Sequence, residues 1–368
     1  MDTIRQTKLI VDVDCVKHNI NAIQNHIGDS VGIMPVIKAR AYGTGIGAIP
    51  DLFENLGIKI LAVAVVDEGI ALRERGYTGE IFILNQPLVD EIDMILQYNL
   101  TISICECGFI KDLNEAAGKN DALAPVHLEI DTGMGRTGIK TGELQYYIEL
   151  LKSMKNIKVE GVFTHFSSSD SDIGYTKKQI ERFDKVISEM STYFSLKYIH
   201  ACNSGGILNC REAHYNLVRP GIALYGHFPS GELKGKIELL PATRLKTKIS
   251  YIHDVKEGQS VSYNRSYIAD KDTKVAVIPI GYADGIMRSY DGKVVINEEL
   301  ARVIGVINMD SFMVDITGME DVDVGADVYI WDNSNVTLED VAENCDTISH
   351  EILSRLSPRV VKEFVEKS

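Results

Sequence analysis

Leu61-Ala62-Val63-Ala64-Val65-Val66, Ile81-Phe82-Ile83-Leu84-Asn85 and Thr101-Ile102-Ser103-Ile104-Cys105-Glu106 are three short apolar runs with starting points about twenty residues apart. Short β-branched runs alternating with amphipathic helical stretches form the pattern of βα units around a parallel sheet. The pattern extends in both directions. Upstream lies Pro35-Val36-Ile37-Lys38, and downstream lie VHLEID from Val126, VEGVFTHF from Val159, KYIHACN from Lys197 and LVRPGIALYG from Leu217. Eight runs are separated by helical stretches such as the one carrying Ile180, Phe183 and Ile187. They predict an α/β fold whose N-terminal part is a TIM-like (β/α)8 barrel over residues 8–230.

After His227-Phe228-Pro229-Ser230-Gly231 the pattern changes. From Pro241 to about Trp331 apolar residues alternate or form short runs between turn residues, with Asp291-Gly292 a candidate hairpin turn. A mainly-β domain is therefore expected over residues 231–368, with residues 1–7 free to pack on it. A short helix is expected around Leu338–Asn344.

The chain has 368 residues, 45% of them hydrophobic, which is enough for two cored domains. Its net charge of −14, with no Lys/Arg stripe, repels polyphosphate and argues against nucleic acid as a partner. The start of the chain lacks the basic-then-apolar pattern of a signal peptide, and no run approaches the ~20 apolar residues of a membrane helix. A cytoplasmic protein without membrane partners is expected. The six cysteines are scattered without a CxxC pair, so free thiols and no metal site are expected.

Lys38 ends the first run and is followed by Ala39-Arg40-Ala41-Tyr42-Gly43-Thr44-Gly45. A lysine at the carboxyl end of a barrel strand stands where barrel enzymes place their chemistry, and burial there lowers its pKa toward that of a Schiff-base lysine. The segment resembles the cofactor signature of the alanine racemase family, with Arg40 and Thr44 departing from its common pattern. The resemblance continues through His127-Leu128-Glu129-Ile130-Asp131-Thr132-Gly133-Met134-Gly135-Arg136, Thr164-His165-Phe166, His200-Ala201-Cys202-Asn203-Ser204-Gly205-Gly206 and Arg219-Pro220-Gly221-Ile222. In the second domain it covers Val261-Ser262-Tyr263-Asn264-Arg265-Ser266-Tyr267, Ile280-Gly281-Tyr282-Ala283-Asp284-Gly285 and Asn308-Met309-Asp310.

The resemblance implies pyridoxal 5'-phosphate as cofactor, a small amino acid as substrate and a homodimer with shared active sites. It makes Lys38 and Tyr263 the two catalytic proton carriers on opposite faces of Cα, with Tyr263 reaching the other subunit's barrel. It assigns the cofactor to Lys38, Tyr42, His165, Asn203, Ser204, Arg219, Gly221, Ile222 and Tyr282, and the substrate to Arg136, Met309 and Asp310. Barrels often hold phosphate after strands seven and eight, which agrees with Ser204, Gly221 and Ile222. Arg219 has only donors, so a pyridine nitrogen facing it accepts a hydrogen bond and stays unprotonated. Proton exchange is then favoured over other outcomes at the ring.

Glu129 supports the site in a different way. The resemblance places Glu129 where many relatives carry a lysine that must be carbamylated, and Glu129, with Arg136 as its expected partner, is expected to supply that negative charge outright. Val306 and Ser357-Pro358-Arg359 depart from the pattern near the substrate entrance. The family role implied is D-alanine supply for peptidoglycan. The competing readings are a serine racemase, including the vancomycin-resistance type, or a broader-specificity racemase. More distant are a decarboxylase of the same architecture and a non-catalytic pyridoxal-phosphate-binding protein.

Overall fold

The computed structural model describes residues 4–366. The chain forms two units, one of Val16–Ala41 and Ala48–Leu240, the other of Met1–Cys15, Tyr42–Gly47 and Pro241–Ser368. The division is not a single cut at residue 230. The Lys8–Asp12 strand pairs antiparallel with Thr243–Lys248 and parallel with Val361–Val365, which draws the start of the chain into the second unit's sheet. Thr7 joins the same sheet through a 2.9 Å bond between its hydroxyl and that of Thr247. Of the first seven residues, 1–3 lie outside the described residues.

The first unit is the barrel. Its strands are β1 (Gly32–Ile33), β2 (Ile60–Val63), β3 (Glu80–Ile83), β4 (Thr101–Ile104), β5 (Ala124–Asp131), β6 (Ile157–Phe163), β7 (Tyr198–His200) and β8 (Leu217–Val218). Strands β2 to β7 pair in parallel in chain order. β8 pairs in parallel with β1, and a parallel bridge between Val36 and Ala62 joins the first strand's continuation to β2. Strands β2 and β4 are buried at every residue, as expected of strands covered on both faces.

The first and last runs form less strand than the sequence predicts. At Pro35–Lys38 only the bridge remains, because the chain turns sharply after Lys38. After Val218, Pro220 cannot donate to a ladder and Ile222–Tyr225 wind into a 3-10 turn. The Ile173–Met190 helix buries Ile180, Phe183, Val186 and Met190, while Ile187 is half-buried at the edge of that stripe.

The second unit is built on a nine-stranded sheet. Lys293–Ile296 and Glu299–Ile304 form a hairpin whose turn is Asn297-Glu298, both with positive φ, rather than Asp291-Gly292. Asp291 instead exchanges hydrogen bonds with the Asn344 side chain. The Leu338–Asn344 helix forms as expected and begins with a capping box of Thr337 and Asp340. Cys202, Cys210 and Cys345 are buried, Cys15, Cys105 and Cys107 are partly exposed, and all six are free thiols.

Candidate active site

Lys38 stands at the carboxyl end of the first barrel segment, where Ile37 N–H donates to Ala62 C=O at 2.8 Å. Ala39, Arg40 and Ala41 then adopt φ of 52–56° and ψ of 48–52°, and Tyr42 has φ 56°. This is a turn of left-handed helix without glycine, which costs L-residues roughly 1–2 kcal/mol each. Its surroundings hold it: Ala41 N–H donates to Ile37 C=O at 2.8 Å, and Ala39 N–H donates to Glu68 Oε1 at 2.5 Å. Glu68 Oε2 also accepts from Ala64 N–H at 2.8 Å, so one carboxylate ties together the ends of two neighbouring segments. Strain held in this way is typical of functional sites. Burial pushes the Lys38 ammonium below the ordinary lysine range; Arg136 and Arg219 add to that shift and Glu68 opposes it.

Arg136 is carried by the turn after β5. Asp131 Oδ1 accepts from Gly133 and Gly135 N–H at 2.9 and 3.0 Å, closing the turn from within. Helix Ile173–Met190 grips it from outside, through Arg182 to Thr132 C=O at 2.6 Å and Tyr175 OH to Gly133 C=O at 3.0 Å. The buried Gln179 on that helix donates to Thr132 Oγ1 and to His165 C=O. Its own oxygen accepts from Ser167 N–H, so a single side chain links the loops carrying Arg136 and His165.

Glu129 lies in β5 on the same inward face as the fully buried His127. Arg136 is not its ion-pair partner. The hydroxyls of Ser103, at 3.5 Å, and Thr137 bond it, while Arg136 and Arg219 act from beyond contact distance. Burial is the largest influence and raises its pKa above the usual carboxylate value.

Arg219 is buried and reaches across the barrel ends. One Nη donates to His200 Nδ1 at 2.7 Å, and the other to Thr164 and Ala201 carbonyls at 2.9 and 3.0 Å and toward His165 Nδ1 at 3.4 Å. Since arginine only donates, His200 Nδ1 accepts, and the proton of the neutral ring sits on Nε2. That atom faces His127 Nδ1 at 2.9 Å and donates to it, placing the His127 proton on Nε2. Desolvation holds His127 at about 3 and His200 well below the usual histidine value, so both rings stay neutral. Gly161 makes room for this chain, because a Cβ there would lie 2.8 Å from His127 Cδ2. Burial, with Arg219 and Arg136 adding, also lowers His165 to about 3. Burial lowers Arg219 itself only to about 10, so it remains charged.

The loops after β7 and β8 meet at Ser204. Asn203 caps the short Ser204–Asn209 helix by accepting from Gly206 N–H at 3.0 Å, and Ser169 fixes its side chain at 2.8 Å. Ser204 Oγ accepts from Gly221 N–H at 3.1 Å and Ala223 N–H at 3.4 Å, and keeps its own proton to donate. Among the described residues the Ile222 N–H has no acceptor, and Arg219 Nε has no partner. An amine of lowered basicity, a ring-sized imidazole, an unused arginine N–H and free donors at a loop pair fit the cofactor that the resemblance implies.

The remaining expected residues belong to the second unit. Tyr282 N–H and Ala283 N–H donate to the carbonyls of Asn308 and Met309 at 3.0 Å each, which brings Tyr282 beside Met309. Buried Asp284 caps this turn through Gly281 N–H and is paired with Arg5 at 2.7 Å and Arg359 at 3.2 Å. Arg359 also pairs with Asp310 at 2.8 Å, so the departing Ser357-Pro358-Arg359 segment anchors an expected substrate residue. Tyr42 has its ring centroid 6.0 Å from that of His350, and burial raises its phenol pKa far above the normal value. Tyr263 is exposed at the tip of the Ser260–Val261/Tyr267–Ile268 hairpin. Glu68, Gln179, His127 and His200 are supporting residues that sequence reading did not single out for a role.

Two sequence families cover nearly the whole chain. The alanine racemase N-terminal domain matches residues 11–229 and the alanine racemase C-terminal domain matches residues 242–364. Alanine racemase 2 of Caldanaerobacter subterraneus subsp. tengcongensis is 35% identical, covering 99% of this chain and 96% of its own. The alanine racemase of Halothermothrix orenii is 35% identical over 99% of this chain and 98% of its own. Among solved structures, the alanine racemase of Clostridium difficile 630 superposes with a TM-score of 0.95 at 35% identity, covering 99% of this chain and 97% of that one. The Bacillus anthracis alanine racemase with bound L-Ala-P gives 0.93 at 30% identity, covering 99% and 96%.

Proposed function

The chain belongs to the alanine racemase family, and on that premise we propose that it interconverts L- and D-alanine with pyridoxal 5'-phosphate as cofactor. The observation that carries the reading is the convergence of Lys38, Arg136, His165 and Arg219 at the carboxyl ends of the barrel strands. There burial and the two arginines lower the lysine's basicity. When bound, pyridoxal phosphate supplies a conjugated electron sink that acidifies the proton on the substrate's Cα.

The chain's own residues do the rest. Lys38 Nζ moves a proton on one face of Cα, and the Tyr263 hydroxyl moves one on the other face. Arg136 offers its planar fork to the substrate carboxylate, aided by Met309 and Asp310. Arg219 would donate to the ring nitrogen, and its hydrogen bonds to the neutral His200 ring and to the Thr164 and Ala201 carbonyls hold it in place. His165 would lie against the ring, Ser204, Gly221, Ile222 and Tyr42 would hold the phosphate, and Asn203 and Tyr282 would complete the cofactor's surroundings. Glu129 provides negative charge near Arg136 without carbamylation. The assembly is a homodimer that shares its active sites, and the setting is the cytoplasm, where the product supplies peptidoglycan synthesis. A serine or broader-specificity racemase is the second reading, and the named relatives do not favour it.

The test is a panel of L-amino acids incubated with cofactor-loaded enzyme and followed by chiral chromatography. Racemisation of alanine well above serine is expected. Preference for serine would overturn the substrate assignment, and no racemisation of any amino acid would overturn the activity.

A further inference from the structure

Ser262, immediately before Tyr263, has φ 73° and ψ 175°. That region is open to glycine and closed to almost every other residue. Asn264 and Arg265 also have positive φ, 56° and 54°, so the tip that presents Tyr263 is strained on both sides of it. The base below is firm. Val261 pairs with Tyr267, and Val261 packs with Val255, Ala269, Val275, Ile304 and Met313 in a small apolar core.

Something must hold Ser262 in this conformation, and the Gly305-Val306 loop does so. Val306 N–H donates to Ser262 Oγ at 3.1 Å, and Ser262 Oγ–H donates back to Val306 C=O at 3.4 Å. Gly305, with φ +76°, leaves the space: a Cβ there would lie 2.4 Å from Ser262 Cβ and 3.0 Å from its Oγ. The seryl side chain is thus seated in a gap that only glycine leaves open, and it is bonded to both the N–H and the C=O of one residue, Val306.

We propose that Ser262 is a positioning residue for Tyr263. Its hydroxyl, clasped by Val306 over Gly305, holds the strained backbone that aims the phenol. This rests on the reading of Tyr263 as a proton carrier. A hydroxyl that donates to the C=O and accepts from the N–H of one residue fixes its own Cβ in space, and with it the φ/ψ pair that sets the direction of the next side chain. Once the clasp is removed, the strained backbone relaxes into an ordinary region, and the phenol is carried away from where it works.

The test uses Ser262→Ala and Ser262→Gly in the full-length, cofactor-loaded enzyme. The alanine variant loses the clasp and keeps the Cβ strain; the glycine variant loses both, and carries the test should the alanine variant fold poorly. Ser262→Ala is expected to lower kcat from L-alanine roughly 10- to 100-fold, the scale of a misplacement of about 1 Å, with KM nearly unchanged, and Ser262→Gly, which adopts this region without strain but is no longer held in it, to fall in the same direction by less. Exchange of the D-alanine α-proton with deuterated solvent, which by the family's assignment of faces uses Lys38 while Tyr263 serves the L side, is expected to persist. Hydrogen–deuterium exchange should show the Val306 amide losing protection while the barrel strands do not change. Wild-type kcat in both variants, or L-side turnover and D-side exchange falling together, would overturn the proposal. A Tyr263→Phe variant separates the two ideas: if it still racemises alanine, the base assignment itself fails.

Discussion

Glu129 is buried beside two arginines without touching either, and this sets its titration. Its folded pKa is raised, so the folded chain holds the proton more tightly than the unfolded chain. Whatever the group adds to stability is therefore present at acid pH and lost as the pH rises through the raised value. Ionised, it costs stability and orients Arg136, so a neutral replacement separates the two effects. Glu129→Gln should raise KM for alanine roughly three- to tenfold, about 1 kcal/mol of orienting interaction, while Tm at pH 8 stays equal to or above that of the unaltered protein. A drop in Tm with unchanged KM would make Glu129 structural. Activity should also survive removal of carbon dioxide, which a carbamate would not. Lys38→Ala should abolish the visible absorption band of bound cofactor and racemisation alike, with circular dichroism unchanged; retention of the band would place the cofactor on another lysine. The sequence made Lys38, Arg136 and Arg219 legible because each sits in a run of distinctive neighbours. Glu68 and Ser262 were illegible as functional groups because they act through backbone amides, for which no sequence pattern exists.

At the scale of elements, the Ile173–Met190 helix does more than cover the barrel. Its apolar stripe was readable from spacing, and so was its place between strands. What the spacing hid was the second row, Tyr175, Gln179 and Arg182, which reads as an ordinary polar face yet grips the loops after β5 and β6. Gln179→Leu should leave Ser167 N–H and His165 C=O without this partner and lower unfolding free energy by about 2–3 kcal/mol in urea titration, while raising KM by loosening the Arg136 turn. An unaltered urea midpoint would mean these loops hold themselves. Strands β2 to β7 matched their apolar runs because buried parallel strands have a strong signature. The first and last runs did not become regular strands, since one gives way to the left-handed turn at Ala39–Tyr42 and the other to Pro220. The Asn297-Glu298 hairpin turn was hidden because Asp291-Gly292 carries the stronger composition signal nearby.

At the scale of the whole molecule, the question is what covers Tyr263. It is 70% exposed, with Met309 at 53% and Tyr282 at 41%, all on the second unit of the chain. A proton carrier left in water exchanges with solvent and cannot hold one face of a substrate, whereas closure against another surface excludes that water. Under the proposed function this surface would be a second copy of the chain. The consequence is tested by mixing two inactive proteins, Lys38→Ala and Tyr263→Phe. If each site takes its lysine from one chain and its tyrosine from the other, a mixed dimer has one site with both residues intact and one with neither. Random exchange makes half of the dimers mixed, so recovered activity should approach about a quarter of that of the unaltered enzyme. Mixing should restore nothing if each site draws both residues from a single chain. That result, obtained while differently tagged subunits co-purify and so prove exchange, would leave Tyr263 serving its own barrel.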